Sequence, residues 1–254
     1  MTPVVQMAVE PGIGRGLPNP VDPSRRIRAA LFDLDGTLYR QAPVRALMAL
    51  ELLTLPLTRP SRAAGTLRAL RAYREAQERL RGSRGRRALA AAQITMAAEL
   101  ARLHREEVEQ VVHEWMQQRP LKYLRAFLAA GTMRLLDLLQ RAGLPAGLLS
   151  DYPAHDKLHA LGLAERFSPV LCSTDPDIDA FKPDPRGFLH ACAQWKLPPS
   201  DVLVIGDRHD VDVAGALAAR MPCALIGRAT PGIKPIGYVV FPSLERLASV
   251  LDGN

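Results

Sequence analysis

The chain has 254 residues, 48% of them apolar, 23% charged and 5% aromatic, with a formal net charge of +7. That length holds one large domain or a core with an inserted subdomain, and the apolar share is ordinary for a globular protein. A membrane span is excluded because no apolar run approaches ~18 residues; the longest candidate, 46–57, is interrupted by Glu51, Thr54 and Pro56.

Residues 1–24 carry Pro3, Pro11, Pro18, Pro20 and Pro23 with Gly12, Gly14 and Gly16. Such a mixture neither builds a helix nor buries a face, so a flexible tail is expected. It lacks the basic-then-apolar order of a signal peptide. Residues 29–32 are a short apolar run that reads as a buried strand. It leads into Asp33-Leu34-Asp35-Gly36-Thr37-Leu38. Two carboxylates at a strand end are costly to bury without a positive partner, which points to a metal ion, a phosphate-handling site, or both. Taken alone, the segment is equally compatible with an Asp-Gly turn.

The block 41–125 reads as helical, with helices expected at 44–55, 65–81, 88–103 and 106–118. Pro56 and Pro60 are expected to break the first, and Pro120 to end the last. The pattern then alternates: helix 132–141 stopped by Gly143, strand 146–149, helix 155–161, strand 169–173, helix 185–195, strand 202–205, helix 211–219, strand 223–226 and helix 244–251. Alternation of this kind predicts an α/β fold with a doubly wound parallel sheet. Sites in such sheets lie at the carboxyl ends of the strands. Asp33 and Asp35, Ser150 and Asp151, and Gly206 and Asp207 are therefore predicted to converge. Cys172, Cys192 and Cys223 are scattered without metal-ligand spacing, and read as reduced core thiols of a cytoplasmic protein.

Four segments then carry a common signal. Asp33-Leu34-Asp35-Gly36-Thr37 resembles the first motif of the haloacid dehalogenase-like hydrolase superfamily. Leu148-Leu149-Ser150-Asp151 resembles its second and Phe181-Lys182-Pro183-Asp184-Pro185 its third. Val204-Ile205-Gly206-Asp207, followed by Asp212, resembles its fourth. Four motifs in order are a strong signal; they cover 27–40 and 130–228. The resemblance is to the phosphatase branch with an inserted helical cap, similar to phosphoglycolate phosphatases. It implies a Rossmann-like core at 25–40 and 126–254, and a helical cap at 41–125 that closes over the site and chooses the substrate.

The resemblance implies the following roles. Asp33 is the nucleophile that forms an aspartyl-phosphate. Asp35 protonates the leaving oxygen and then takes a proton from water. Gly36 permits a backbone geometry that a side chain would obstruct, and Thr37 holds the turn and borders the phosphate. Ser150, with backbone N–H groups at Asp151, donates to a phosphate oxygen. Lys182 supplies positive charge to the phosphoryl group and the nucleophile. Mg²⁺ is held by Asp33, the backbone carbonyl of Asp35 and Asp207, while Asp212 orients this shell or holds Lys182.

Three positions depart from the family pattern: Arg40 stands where Asp is frequent, Arg208 where Ser is common, and Asp151 where Asn is frequent. The stretch 59–87 holds ten arginines against two glutamates, and Arg68, Arg71 and Arg74 recur at helical spacing. A solvated helical face is the expected reading, with attraction of a polyanion as the other. His155 and His209 lie near the motifs, whereas His104 and His113 fall in the cap. The function implied is Mg²⁺-dependent hydrolysis of a small phosphorylated metabolite. A phosphomutase or a catalytically weak binding protein of the same fold are the alternatives. No membrane or nucleic acid partner is expected, since aromatic stacking platforms are lacking; the sequence is silent on oligomeric state.

Overall fold

The computed structural model describes residues 17–18, 26–58, 60–81, 88–228 and 236–252. The expected tail therefore lies outside the described residues, apart from β1 (Leu17–Pro18), which pairs antiparallel with β2 (Arg26–Ile27).

Six strands make one parallel sheet: β3 (Ala29–Phe32), β4 (Ala146–Ser150), β5 (Val170–Cys172), β6 (Val202–Gly206), β7 (Cys223–Ile226) and β8 (Tyr238–Phe241), in the order β5-β4-β3-β6-β7-β8. Their apolar runs continue on both faces because helices cover both. Along β3, Ala30 and Phe32 enter one core and Ala29 and Leu31 the other, as a period of two requires. Helices α6 (Thr132–Arg141), α7 (His155–Leu161) and α10 (Leu244–Leu251) supply Leu135, Leu158 and Leu247 to the first core. Helices α8 (Arg186–Trp195) and α9 (Ala214–Ala218) supply Phe188 and Ala216 to the second. The expected α/β doubly wound architecture is what forms. β3 sits at the switch point, with β4 on one side and β6 on the other. Phe32 is in register with both Leu148 and Ile205, so the three strands end side by side.

Between β3 and β4 the chain is helical: α1 (Gln41–Thr58), α2 (Pro60–Leu80), α3 (Leu89–Ala101), α4 (Arg105–Val112), a π-turn (His113–Gln118) and α5 (Leu121–Leu124). The two crossings of this insertion are tied together. Arg40 N donates to Phe127 O at 2.8 Å, and Ala129 N to Leu38 O at 2.9 Å. On the far side a second contact joins insertion and sheet. The Asp179 carboxylate accepts from Ala88 N at 2.8 Å and from Leu89 N at 2.7 Å, so a core residue caps α3.

Three expectations need correction. Pro56 does not break α1, which runs on to Thr58; the proline removes one N–H donor to the preceding turn, and the helix carries that loss two residues from its end. The helix expected at 211–219 opens instead with a π-turn over His209–Val213, after which α9 follows. β8 was not anticipated, although Tyr238-Val239-Val240-Phe241 lies between Gly237 and Pro242.

Candidate active site

The chain leaves β3 at Phe32 and turns sharply, with Leu38 N bonded back to Leu34 O at 3.0 Å. Gly36 takes φ 111°, and a Cβ placed there would lie 2.1 Å from Asp207 Oδ2. Glycine at 36 is thus what lets the turn approach the residue that ends β6. Asp33, Ser150 and Asp207, each from the end of a different neighbouring strand, line one cavity of about 150 Å³, together with Lys182. The predicted convergence is therefore present.

Lys182 is the electrostatic centre. It is almost wholly buried, and its Nζ lies 2.6 Å from Asp33 Oδ1 and 2.7 Å from Asp212 Oδ1. Burial favours the neutral amine, but the charges of Asp212 and Asp33 outweigh it and the ammonium is held above its usual range. Asp33 is pulled both ways. Burial raises its pKa and Lys182 lowers it, while Asp212 and Asp207 add further upward pressure; the net direction is up. Asp207 is pushed up to about 6 by burial and by Asp212. Asp212 also accepts from Arg208 N at 3.1 Å, so it holds both Lys182 and the turn after β6.

Three carboxylates therefore face one ammonium. Oxygens of Asp33, Asp207 and Asp212 fall within 4.8 Å of one another. Asp207 Oδ1 is buried without a hydrogen-bond partner among the described residues. An orphaned buried carboxylate oxygen in an all-oxygen cluster of excess negative charge is chemistry that suits a hard divalent cation.

The other residues divide into two groups. Thr37 Oγ1 donates to Asp33 Oδ2 at 3.0 Å; four residues on in a helix-like turn, its hydroxyl falls beside that carboxylate. Ser150 is buried and its Oγ accepts from Tyr152 N at 3.1 Å, which leaves its own proton to donate. The Asp151 side chain is fully engaged. It accepts from Ser173 Oγ at 2.6 Å and Lys182 N at 3.1 Å, and pairs with Arg81 at 2.8 Å. It builds the loop that carries Lys182, so contact with an anion at position 151 falls to the backbone N–H.

Asp35 lies apart from the carboxylate cluster. Lys157 Nζ donates to its two oxygens at 2.6 and 2.8 Å, and the Tyr39 hydroxyl donates to Oδ1. Burial pushes this carboxyl up, but Lys157 and Tyr39 more than offset it, and its pKa falls below the usual value. Lys157 and Tyr39 were not singled out from the sequence. Lys157 shares a helical face with the apolar Ala154 and Leu161, and a charge within an apolar stripe was the available signal.

The arginine run behaves differently from its expected unity. Positions 68, 71 and 74 drift about 60° per step around a helix with 3.6 residues per turn, and only Arg74 of the three lines the cleft. The side of α2 that borders the cleft carries Leu70, Arg74 and Gln77, continued by Arg81. Arg81 also donates to Lys182 O, and the Tyr152 hydroxyl donates to Gln77 Oε1. Residues 59 and 82–87 lie outside the described residues. Arg40 stacks over Phe127 at 5.6 Å and lines neither cavity. His209 packs edge-on to Tyr238 at 5.4 Å, and His155 is exposed; neither lines either cavity.

Comparison with known proteins agrees with this geometry. The family model described as haloacid dehalogenase-like hydrolase matches residues 27–220. An N-acetylmuramic acid 6-phosphate phosphatase of Pseudomonas aeruginosa is 33% identical over 238 residues, covering 89% of this chain and 96% of that one. A phosphoglycolate phosphatase of Escherichia coli is 29% identical over 213 residues, covering 77% and 79%. Among solved structures, a 2-haloacid dehalogenase from Pseudomonas syringae superposes with a TM-score of 0.63 at 24% identity, over 89% of this chain and 98% of that one, which speaks for the fold alone. With its four motifs meeting at the ends of β3, β4 and β6, the chain belongs to the haloacid dehalogenase-like hydrolases and is an enzyme of that family.

Proposed function

We propose that the protein hydrolyses a small phosphate monoester through an aspartyl-phosphate on Asp33. The observation that carries this reading is Lys182, held within 2.7 Å of Asp33 and Asp212 at the mouth of the sheet. A buried ammonium there aligns the nucleophile and meets the charge of an incoming phosphoryl group. Asp33 attacks phosphorus, the bond to the leaving oxygen breaks, and Asp35 gives that oxygen its proton. Water then attacks phosphorus, returning its proton to Asp35 and freeing the Asp33 carboxylate. Asp35 is held ionised by Lys157 in this conformation, so its service as an acid requires that pair to loosen when substrate enters. Ser150 and the backbone N–H of Asp151 hold phosphoryl oxygens.

Mg²⁺ is the cation this donor set suits. Asp33, Asp207 and the backbone carbonyl of Asp35 would hold it, with Asp212 left on Lys182. When bound it supplies neutralising charge to the phosphoryl oxygens. Residues 41–125 act as a cap over a core of 25–40 and 126–254, and the similarity to N-acetylmuramic acid 6-phosphate and phosphoglycolate phosphatases supports a small phosphorylated metabolite as the substrate class. Three free cysteines and the absence, among the described residues, of a helix long and apolar enough to cross a membrane are in keeping with a cytoplasmic setting. The test is phosphate release from p-nitrophenyl phosphate and a panel of phosphorylated metabolites with Mg²⁺, with Asp33→Asn as the blank. BeF₃⁻ should occupy Asp33. Wild-type turnover by Asp33→Asn, or full activity in excess chelator, would overturn the reading.

A further inference from the structure

The cleft between insertion and sheet holds two cavities that share Asp35, Gln41, Arg45, Arg74 and Tyr152 as their common lining. The inner one contains Asp33, Ser150, Lys182 and Asp207. The outer one, about 370 Å³, is walled by Val44, Met48, Leu52, Leu70, Trp115 and Met116. That volume is typical of small-molecule sites. It lies where the unreacting part of a phosphate ester would extend once the phosphoryl group is seated on Asp33.

Among the described residues, every cation that lines these cavities has a carboxylate partner, with two exceptions. Asp35 has Lys157, Glu78 has Arg81, and Arg208 has Asp210. Arg81 and Lys182 are further committed to Asp151, Asp33 and Asp212. Arg45 on α1 and Arg74 on α2 make no ion pair with any described residue, yet both border the two cavities. Two separate helices thus bring guanidinium groups to one neck, above an apolar wall. The planar fork of arginine matches a carboxylate better than any other side chain does.

On the phosphatase reading above, we propose that Arg45 and Arg74 select esters whose leaving group bears a second anion, a carboxylate, on a carbon skeleton that packs against Met48 and Trp115. The phosphoryl group itself is served by Lys182 and Ser150, so the two arginines act on the other end of the substrate.

The experiment uses the full chain with Mg²⁺ and p-nitrophenyl phosphate as the reporter. Two competitors are compared: 6-phosphogluconate and glucitol 6-phosphate, which differ in a terminal carboxylate against a CH₂OH. A charge-assisted contact predicts an inhibition constant about tenfold or more lower for 6-phosphogluconate. That ratio should fall toward one in Arg45→Gln and in Arg74→Gln, and be partly kept in the Lys variants. Because the ratio is taken within each variant, a general loss of stability cancels. A wild-type ratio near one, or no competition by either ester, overturns the inference while hydrolysis of the reporter leaves the phosphatase reading standing. Equal weakening of both esters in the variants also overturns it, since the arginines would then be holding the transferred phosphate. Absence of Mg²⁺-dependent reporter hydrolysis would remove both.

Discussion

Gly36→Ala probes the closest approach in the site. The residue sits at φ 111°, and the added Cβ would fall 2.1 Å from Asp207 Oδ2 and 2.7 Å from its Cγ. The conformation itself costs an alanine about 1–3 kcal/mol. Relieving the overlap costs about 1–3 kcal/mol more. The obstructing atoms are the end of one side chain, so the low end of the combined range is expected, about 2–3 kcal/mol. At about 2–4 °C per kcal/mol for a chain of this size, that is a fall of about 4–12 °C in Tm. The relief pushes Asp207 out of the carboxylate cluster, so the Tm gain from Mg²⁺ should vanish too. Gly143→Ala is the matched control. It also has a positive φ, 68°, but nothing lies within 4 Å of its Cβ, so it should lose stability modestly and keep the Mg²⁺ gain. Melts by urea and by heat, with and without Mg²⁺, read both effects. Near wild-type stability with an intact Mg²⁺ gain in Gly36→Ala would refute the close-approach argument.

Three further outcomes are expected. The pKa of Asp207 rises from the usual 3.8 to about 6, so the metal-free folded protein binds protons more tightly than the unfolded chain and loses stability as pH rises through that window. Mg²⁺ needs the carboxylates ionised, so its Tm gain should be larger at pH 7.5 than at pH 5, and a pH-independent gain would count against the site. Asp35→Asn should lower kcat/KM by about 100-fold or more on alkyl phosphates and far less on p-nitrophenyl phosphate; equal losses would remove the acid role. Asp179→Ala should cost about 1 kcal/mol, as lost helix caps do, and speed amide exchange in the first turn of α3; unchanged exchange there would show that the cap is idle.

Much of this was legible because local and global signals coincide. β3 and β7 are continuous apolar runs, bounded by Arg28 and Asp33 and by Pro222 and Gly227, and the expected limits match. The convergence of Asp33, Ser150 and Asp207 followed from where ligands sit in parallel sheets. What escaped was tertiary. Lys157 reaches Asp35 from a helix 122 residues further along, and no local pattern pairs them. The motif points to an anion contact through the backbone at Asp151, but gives no sign that its oxygens are engaged by Ser173, Lys182 and Arg81. The arginines at 68, 71 and 74 were grouped by spacing alone, whereas packing picks the face that carries Leu70, Arg74 and Gln77. β8 was an oversight of a different kind, since its β-rich tetrapeptide between Gly237 and Pro242 was visible.

The pairing of the two crossings has one more consequence. Tyr39 lies between Leu38 and Arg40, whose backbones are bonded to the returning segment at Ala129 and Phe127, and the Tyr39 hydroxyl anchors Asp35. On the proposed reading of the insertion as a cap and Asp35 as the proton carrier, the hinge and the carrier's tether are therefore one short piece of chain. On that reading, a rotation of the insertion there would swing the tyrosine and so re-aim the carboxyl, a mechanical clutch between lid and proton. It engages through residues 35–40 and the segment 127–129 bonded to them. The rest of the insertion could be reshaped for another substrate without rewiring the timing of proton delivery.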